Sequence, residues 1–378
     1  MKQFILISLL GLFFTPVYAQ EPHRHDHTHS HDRGIQFPDI PGFKTLKCDF
    51  HQHTVFSDGE VWPSIRVQEA IRDGLDAISL TEHLEYQPHK QDIPHPDRNR
   101  SFEIAKQAAK DHDLLVVHGS EITRFMPPGH CNAIFIQDAN KLLISDPIEV
   151  FREAKRQGAF VFWNHPNWTA QAADGIAKLS DMHKTLIKEG LLDGIEVVND
   201  VTYSDEALQI ALDNNLVIMG TSDIHGLVDW QYKVPEGGHR PITLVFAKEK
   251  TLESIREGLN NRRTVAWFNN LLVGKDDVLI PLIQASIQVQ SAEYEKNSQV
   301  LKVMVENKSD AAYLLQNESP YTFHAQADVI TINPQDSTEI LIKTKEKLTS
   351  LELNFSVLNA LNAPKSHPTF TLKIQAIK

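Results

Sequence analysis

What most constrains this chain is the placement of its imidazoles and carboxylates. From residue 46 short apolar runs alternate with amphipathic stretches, and metal-binding side chain types recur where the runs end. The runs Leu46–His51, Ala77–Thr81, Leu114–Glu121, Cys131–Ile136, Ala159–Asn164, Gly194–Val198 and Leu216–Thr221 read as strands. Between them lie helical patterns. Pro63 opens one that Gly74 closes, Pro147–Gln157 stops at Gly158, and Ser204–Asn214 forms another, in keeping with the preference for proline at helix starts and glycine just beyond their ends. A strand at Ile242–Ala247, a helix at Leu252–Asn261 and a strand at Thr264–Phe268 complete the series. Strands alternating with helices predict parallel βα units.

His51 and His53 end the first run, and a spacing of two on a strand puts both rings on one side. Asp58 follows in Ser57-Asp58-Gly59, His83 ends the second run and Glu121 the third. His130 opens the fourth, His165 ends the fifth, and Asp223 and His225 end the seventh. The steps from His53 to His83, His83 to Glu121 and His130 to His165 are 30, 38 and 35 residues, about the length of a strand with its return helix. If the strands close into a barrel, six histidines, two aspartates and one glutamate meet at one mouth. Such a cluster is costly to bury without compensation, and divalent cations compensate it directly. Imidazole with carboxylate and no thiolate suits zinc, iron or manganese. Nine donors exceed the three or four that hold one catalytic zinc, so two or three metals are expected, with a carboxylate as bridge. His112, His118, His183, His324 and His367 fall outside this pattern and are read as structural.

The two cysteines, Cys48 and Cys131, exclude a disulfide-dense scaffold and a cysteine-rich metal site. They lie one residue out of phase with the ligands and are read as packing residues. A net charge of −12 disfavours binding to a nucleic-acid duplex. Residues 1–19 read as a secretory signal peptide: Lys2, an apolar run from Phe4 to Phe14, then Val17 and Ala19 before a cut at Gln20. With no later span long enough for a membrane, an exported protein is expected, periplasmic or extracellular. Residues 20–40 carry histidines 23, 25, 27, 29 and 31 among polar residues. They read as a disordered linker with metal capture as an added role. Residues 41–275 are assigned to the βα part. From 276 to 378 the pattern changes. Leu279–Val289, Val300–Glu306, Thr338–Lys343, Leu351–Val357 and Thr369–Ile377 alternate apolar and polar residues, which predicts a small antiparallel β-sandwich.

The ordered motifs resemble those of the PHP (polymerase and histidinol phosphatase) family. Asp49-Phe50-His51-Gln52-His53-Thr54 with Ser57-Asp58-Gly59 is similar to its first motif, and Thr81-Glu82-His83 to its second. Gly119-Ser120-Glu121-Ile122 is similar to its third and Ser222-Asp223-Ile224-His225 to its last. The resemblance covers roughly residues 46–270. It implies an α/β fold, a distorted (β/α)7 barrel, and a trinuclear centre that hydrolyses phosphoesters. By that similarity one metal takes His51, His53, Glu121 and Asp223, a second Glu121, His130 and His165, and a third Asp58, His83 and His225. Asp58 stands where some members carry histidine. The leader and the β-domain lie outside the basic pattern and point to exported members that act on small phosphodiesters, including organophosphate diesters.

The expected chemistry is attack on phosphorus by a hydroxide bridging the metals that Glu121 and Asp223 hold. Arg124, three residues beyond Glu121, is a candidate phosphate clamp. Asn199, His239 and Arg240 are weaker substrate-binding candidates, and Tyr86, His89 and His95 lie in a loop that could shape the pocket. A phosphomonoesterase would use the same metals. A metal-dependent amidohydrolase would want a bridging lysine where Glu121 stands. A metal-storage or surface-binding protein is the alternative of another class. No phosphate-binding glycine loop and no serine-hydrolase elbow is present.

Overall fold

The computed structural model describes residues 33–377, so the segment read as a signal peptide and the histidine tract lie outside the described residues. The first part of the chain runs β1 (Lys44–Asp49), α1 (Pro63–Arg72), β2 (Ala77–Leu80), α2 (Arg100–Ala108), β3 (Leu115–Ile122), β4 (Cys131–Ile134), α3 (Glu149–Arg156) and β5 (Phe160–Trp163). It continues through α4 (Asp181–Lys188), β6 (Gly194–Asn199), β7 (Thr202–Tyr203), α5 (Asp205–Asp213), β8 (Val217–Thr221) and α6 (Val228–Gln231). Then come β9 (Ile242–Ala247), α7 (Leu252–Asn260), β10 (Thr264–Phe268), β11 (Leu271–Gly274) and α8 (Asp276–Ser286). The predicted strands and helices up to residue 268 are present, each shifted at its ends by a few residues at most.

These strands form one curled sheet, ordered β11-β10-β9-β1-β2-β3-β4-β5-β6-β7, with β8 paired to β6. The expected parallel βα pairing holds for part of the sheet. β1, β2 and β3 run parallel, as do β5, β6 and β8, but β4 is antiparallel to both neighbours and β9 is antiparallel to β1 and β10. Only eight residues separate Ile122 from Cys131, too few for the crossover a parallel pair needs. The reversal explains why His130 stands at the start of its strand while Glu121 stands near the end of its own.

The sheet curls until β8 meets β9 and β10. The Thr243 hydroxyl donates to the Gly220 carbonyl at 2.8 Å and accepts from the Gly220 amide at 2.9 Å, and Thr264 Oγ1 donates to the Ile218 carbonyl at 2.8 Å. A Cβ on Gly220 would stand 2.7 Å from that of Ala266. The seam therefore needs glycine there for close approach.

After α8 the chain forms two antiparallel sheets. Its strands are β12 (Ile287–Tyr294), β13 (Val300–Asn307), β14 (Tyr313–Asn317), β15 (Thr322–Phe323), β16 (Val329–Ile332), β17 (Ser337–Lys343), β18 (Ser350–Val357), β19 (Ala360–Leu361) and β20 (Thr369–Gln375). The orders are β12-β13-β17-β15 and β16-β14-β18-β20. Alternate residues of β13 and β18 are buried, as a half-buried strand requires. Leu301, Val303, Ile340 and Ile342 of one sheet share a core with Leu353, Phe355 and Ile374 of the other. The strand predicted at Leu279–Val289 is corrected: residues up to Ser286 are helical. Val278, Leu279, Leu282, Ile283 and Ser286 are buried, which is helical spacing that a short apolar run hides. This helix and β19, paired parallel with β11, tie the sandwich to the barrel.

Candidate metal centre

The end of β1 is clamped to the segment after β8. Asp49 accepts from the Ser222 amide at 3.1 Å, the Ser222 hydroxyl at 2.6 Å, Gln52 Nε2 at 2.9 Å and Arg240 Nη1 at 3.3 Å. The Asp223 amide then reaches the His51 carbonyl at 2.9 Å, and the His53 amide the Ile224 carbonyl at 3.0 Å. Buried Arg66 donates to the carbonyls of His53, Ile224 and His225 and is itself paired with Glu69 at 2.6 Å. Glu82 fixes the turn after β1, accepting from the amide and hydroxyl of Thr54 and from Ser57 Oγ.

All nine predicted ligand residues converge on one mouth. His51 Nε2 and His53 Nε2 each lie 3.1 Å from Asp223 Oδ1, and 3.6 and 3.8 Å from the Glu121 oxygens. Glu121 is fully buried, with His83 Nδ1 at 2.5 Å, His130 Nδ1 at 3.1 Å and His165 Nε2 at 3.5 Å. Asp58 lies 3.3 Å from His83 Nε2 and 3.1 Å from His225 Nε2. Among the described residues, three groups bring donor atoms within 4.8 Å of one another: His53, Asp58, His83 and His225; His51, His53 and Asp223; and His83, Glu121 and His130.

The donor set fits divalent cations. Asp58 Oδ1, Glu121 Oε2, His130 Nδ1 and His165 Nδ1 are buried yet have no hydrogen-bond partner. Buried polar atoms are rarely left so, and bound cations would satisfy the donors that face inward. Two members sit on left-handed backbone, His165 at φ +30° and Asp223 at φ +50°, a cost that tends to collect at functional sites. Burial opposes charge on the cage carboxylates. It nevertheless loses at Glu121, Asp58 and Asp223, whose surrounding imidazoles hold them below the usual carboxylate range. Burial likewise opposes the His51 and His83 cations. Asp223, Glu196 and Glu121 push His51 up to about 10, and Glu121 and Asp58 push His83 up to about 11. His53 is driven down to about 3 by burial and by the neighbouring His225 and His83. Ionised carboxylates beside rings that attract positive charge are what cations would find.

A buried partner of the cage, Glu196 in the middle of β6, was not singled out from the sequence. It accepts from His51 Nδ1 at 2.8 Å, Thr221 Oγ1 at 2.6 Å, the His165 amide at 2.6 Å and Asn199 Nδ2 at 2.8 Å. With Nδ1–H committed to Glu196, His51 presents Nε2 to the cage, the arrangement seen when a carboxylate orients a metal-binding ring. The signal lay in the chain: Gly194-Ile195-Glu196-Val197-Val198 puts one carboxylate inside an apolar run. Asn164 Nδ2 holds Glu121 Oε1 at 2.7 Å in a similar way.

The substrate-binding candidates are placed unevenly. Asn199 lines the cavity beside the cage. Arg124 does not: its guanidinium is taken by Glu85 at 2.9 Å and the Ile144 carbonyl. Arg240 is buried and paired with Asp49 and Asp73, and His239 stacks on Trp267 with centroids 3.6 Å apart. Neither lines the cavity: both stand at the ligand-bearing end of β1, but their side chains are already taken by these partners. Tyr86 is exposed, edge-on to His83, while His95 is buried against Phe56 and Gln87. Cys48 and Cys131 are buried free thiols.

A curled βα sheet carrying a mouth of imidazoles and carboxylates defines a metal-dependent hydrolase. Among solved structures, a two-domain protein of Bacteroides vulgatus containing a predicted PHP-like metal-dependent phosphoesterase is 44% identical, with a TM-score of 0.84 over 90% of this chain and 98% of that one. Uncharacterized protein MJ1295 of Methanocaldococcus jannaschii is 36% identical over 84 residues, which span 22% of this chain and 36% of that protein. Residues 287–373 match the family model DUF5001, an Ig-like domain. The chain belongs to the PHP-like metal-dependent phosphoesterases, with an Ig-like domain after the barrel.

Proposed function

We propose that this protein is an exported phosphodiesterase that cleaves small phosphate diesters at a centre of two or three divalent cations, three being the number its donors suit best. His51, His53, Glu121 and Asp223 would hold one, Glu121, His130 and His165 a second, and Asp58, His83 and His225 a third. Such cations supply charge neutralisation at phosphorus and an activated water nucleophile at neutral pH. Glu196 fixes the His51 ring and the His165 amide, Asn164 orients Glu121, and Asn199 ties Glu196 to Asp223, at 2.8 and 3.4 Å.

The observation that carries the preference for diesters is the composition of the cavity over the cage. Its volume is about 370 Å³, and its described lining includes no Lys or Arg. A phosphate monoester carries a charge of about −1.5 to −2 near neutral pH, and sites for such dianions commonly add a guanidinium fork. A singly charged diester has less need of one. Zinc, manganese and iron all suit the donors. The case for export rests on residues 1–19; among the described residues no helix is long and apolar enough to cross a membrane.

The test compares ethyl p-nitrophenyl phosphate with p-nitrophenyl phosphate on protein loaded with zinc, manganese or iron. A kcat/KM at least tenfold higher for the diester is expected. The reverse order would favour a phosphomonoesterase, and turnover of neither would remove the reading. N-terminal sequencing of the secreted form should begin at Gln20.

A further inference from the structure

The cavity is acidic beyond what the cage uses. Asp200 lines it at the turn after β6, on left-handed backbone with φ +48°. Its Oδ1 accepts from Gln231 Nε2 at 2.6 Å and from Tyr232 Oη at 3.2 Å, both neutral donors. No ion pair to Asp200 is present among the described residues. A carboxylate without an ion-pair partner in the lining of a phosphate site repels the anionic part of a substrate and attracts any positive charge the substrate carries.

The same cavity has an aromatic wall. Trp168 lines it, 46% exposed, and packs edge-on to His165 with ring centroids 5.2 Å apart. Contact with a ring that is itself held near the cage limits where the indole can go. A tryptophan face is the best of the aromatic surfaces for a cation. Acid and indole in one cavity, with no lysine or arginine in its described lining, form a combination that suits an ammonium group.

We propose that this cavity selects phosphodiesters in which one ester arm carries a cationic amine, with the ammonium recognised by the Asp200 carboxylate and the Trp168 face. This rests on the phosphodiesterase reading and names the substrate class for it. A neutral hydroxylated ring could use the indole and donate to Asp200, but it would leave the carboxylate's charge unopposed.

The experiment uses matched esters on metal-loaded full chain: p-nitrophenyl phosphocholine and p-nitrophenyl 3,3-dimethylbutyl phosphate, which replaces the quaternary nitrogen by carbon. The choline ester should show a kcat/KM on the order of tenfold higher. That ratio should fall towards one in Asp200→Asn and in Trp168→Leu. Equal values for the two esters in the wild-type protein would overturn the inference while leaving the phosphodiesterase reading intact. If neither ester turns over, the phosphodiesterase reading fails, and calorimetry with phosphocholine decides the ammonium site. Binding weakened by Asp200→Asn supports the site, and no binding, or binding indifferent to that change, overturns it.

Discussion

Replacing Glu196 by glutamine tests whether the cage depends on its buried carboxylate. All four groups around Glu196 donate to it: His51 Nδ1, Thr221 Oγ1, the His165 amide and Asn199 Nδ2. A glutamine keeps the shape but offers one acceptor oxygen and one NH2 group. If the NH2 faces Thr221 and His51, the hydroxyl can turn to accept, but His51 must either leave its Nδ1–H unpaired or move the proton to Nε2, where it blocks ligation. If it faces His165 and Asn199, the asparagine can flip, but the His165 amide cannot. Either way at least one buried donor is stranded, at a cost of about 1–3 kcal/mol. That is roughly a 5- to 150-fold loss in metal affinity, in line with the 10- to 100-fold typical when a ligand's supporting partner is removed. The assay is competition for zinc or manganese against a chelator of known affinity, with circular dichroism to confirm the fold. Wild-type affinity in Glu196→Gln would refute the claim that Glu196 sets the His51 tautomer.

Other outcomes follow from the same packing. Glu121→Gln should lower bound metal and abolish phosphoesterase turnover, because Glu121 faces His83, His130 and His165 together; elemental analysis and the nitrophenyl assay check it. Arg66→Met should lower stability by about 3–5 kcal/mol in a denaturant melt, since it strands buried Glu69 and frees three carbonyls. His183, held at about 4 chiefly by burial, accepts from the Ser180 amide at Nδ1 and donates from Nε2 to the Pro128 carbonyl. Its folded value lies below the ordinary 6.5, so the unfolded chain takes up the proton first. The stability from neutral His183 is therefore present above pH 6.5 and lost as pH falls to 4, about 3 kcal/mol in all. His183→Gln should flatten a stability profile over that window. Burial raises the Cys48 and Cys131 thiols well above their ordinary value. Neither should react with a thiol reagent in native protein, and both should react after denaturation.

Much of the site was legible because its ligands stand at strand ends, where the period-two pattern of β1 and the recurrence of His83, Glu121, His165 and Asp223 survive in one dimension. Strand direction was less legible. The reversal at β4 depends on the short link from Ile122 to Cys131, which apolar runs alone do not register. The helix Asp276–Ser286 reads as strand in the sequence because residues 278–283 are apolar throughout, which masks the helical spacing of buried Leu279, Leu282 and Ile283. Arg124 illustrates the harder problem. Its position after Glu121 suggested phosphate, but Glu85 and the Ile144 carbonyl, brought by other loops, take its guanidinium. Glu196 was overlooked for the opposite reason: a carboxylate between Ile195 and Val197 earns its meaning only when His51, 145 residues away, arrives opposite it.

The most direct test of the central claim is anomalous scattering from crystals grown with manganese or zinc. Two or three peaks are predicted between the side chains of His51, His53, Asp58, His83, Glu121, His130, His165, Asp223 and His225, with Glu121 touching more than one. Crystals that scatter from the solvent or from the histidines at positions 23–31 alone, with these nine side chains bare at saturating metal, would contradict it.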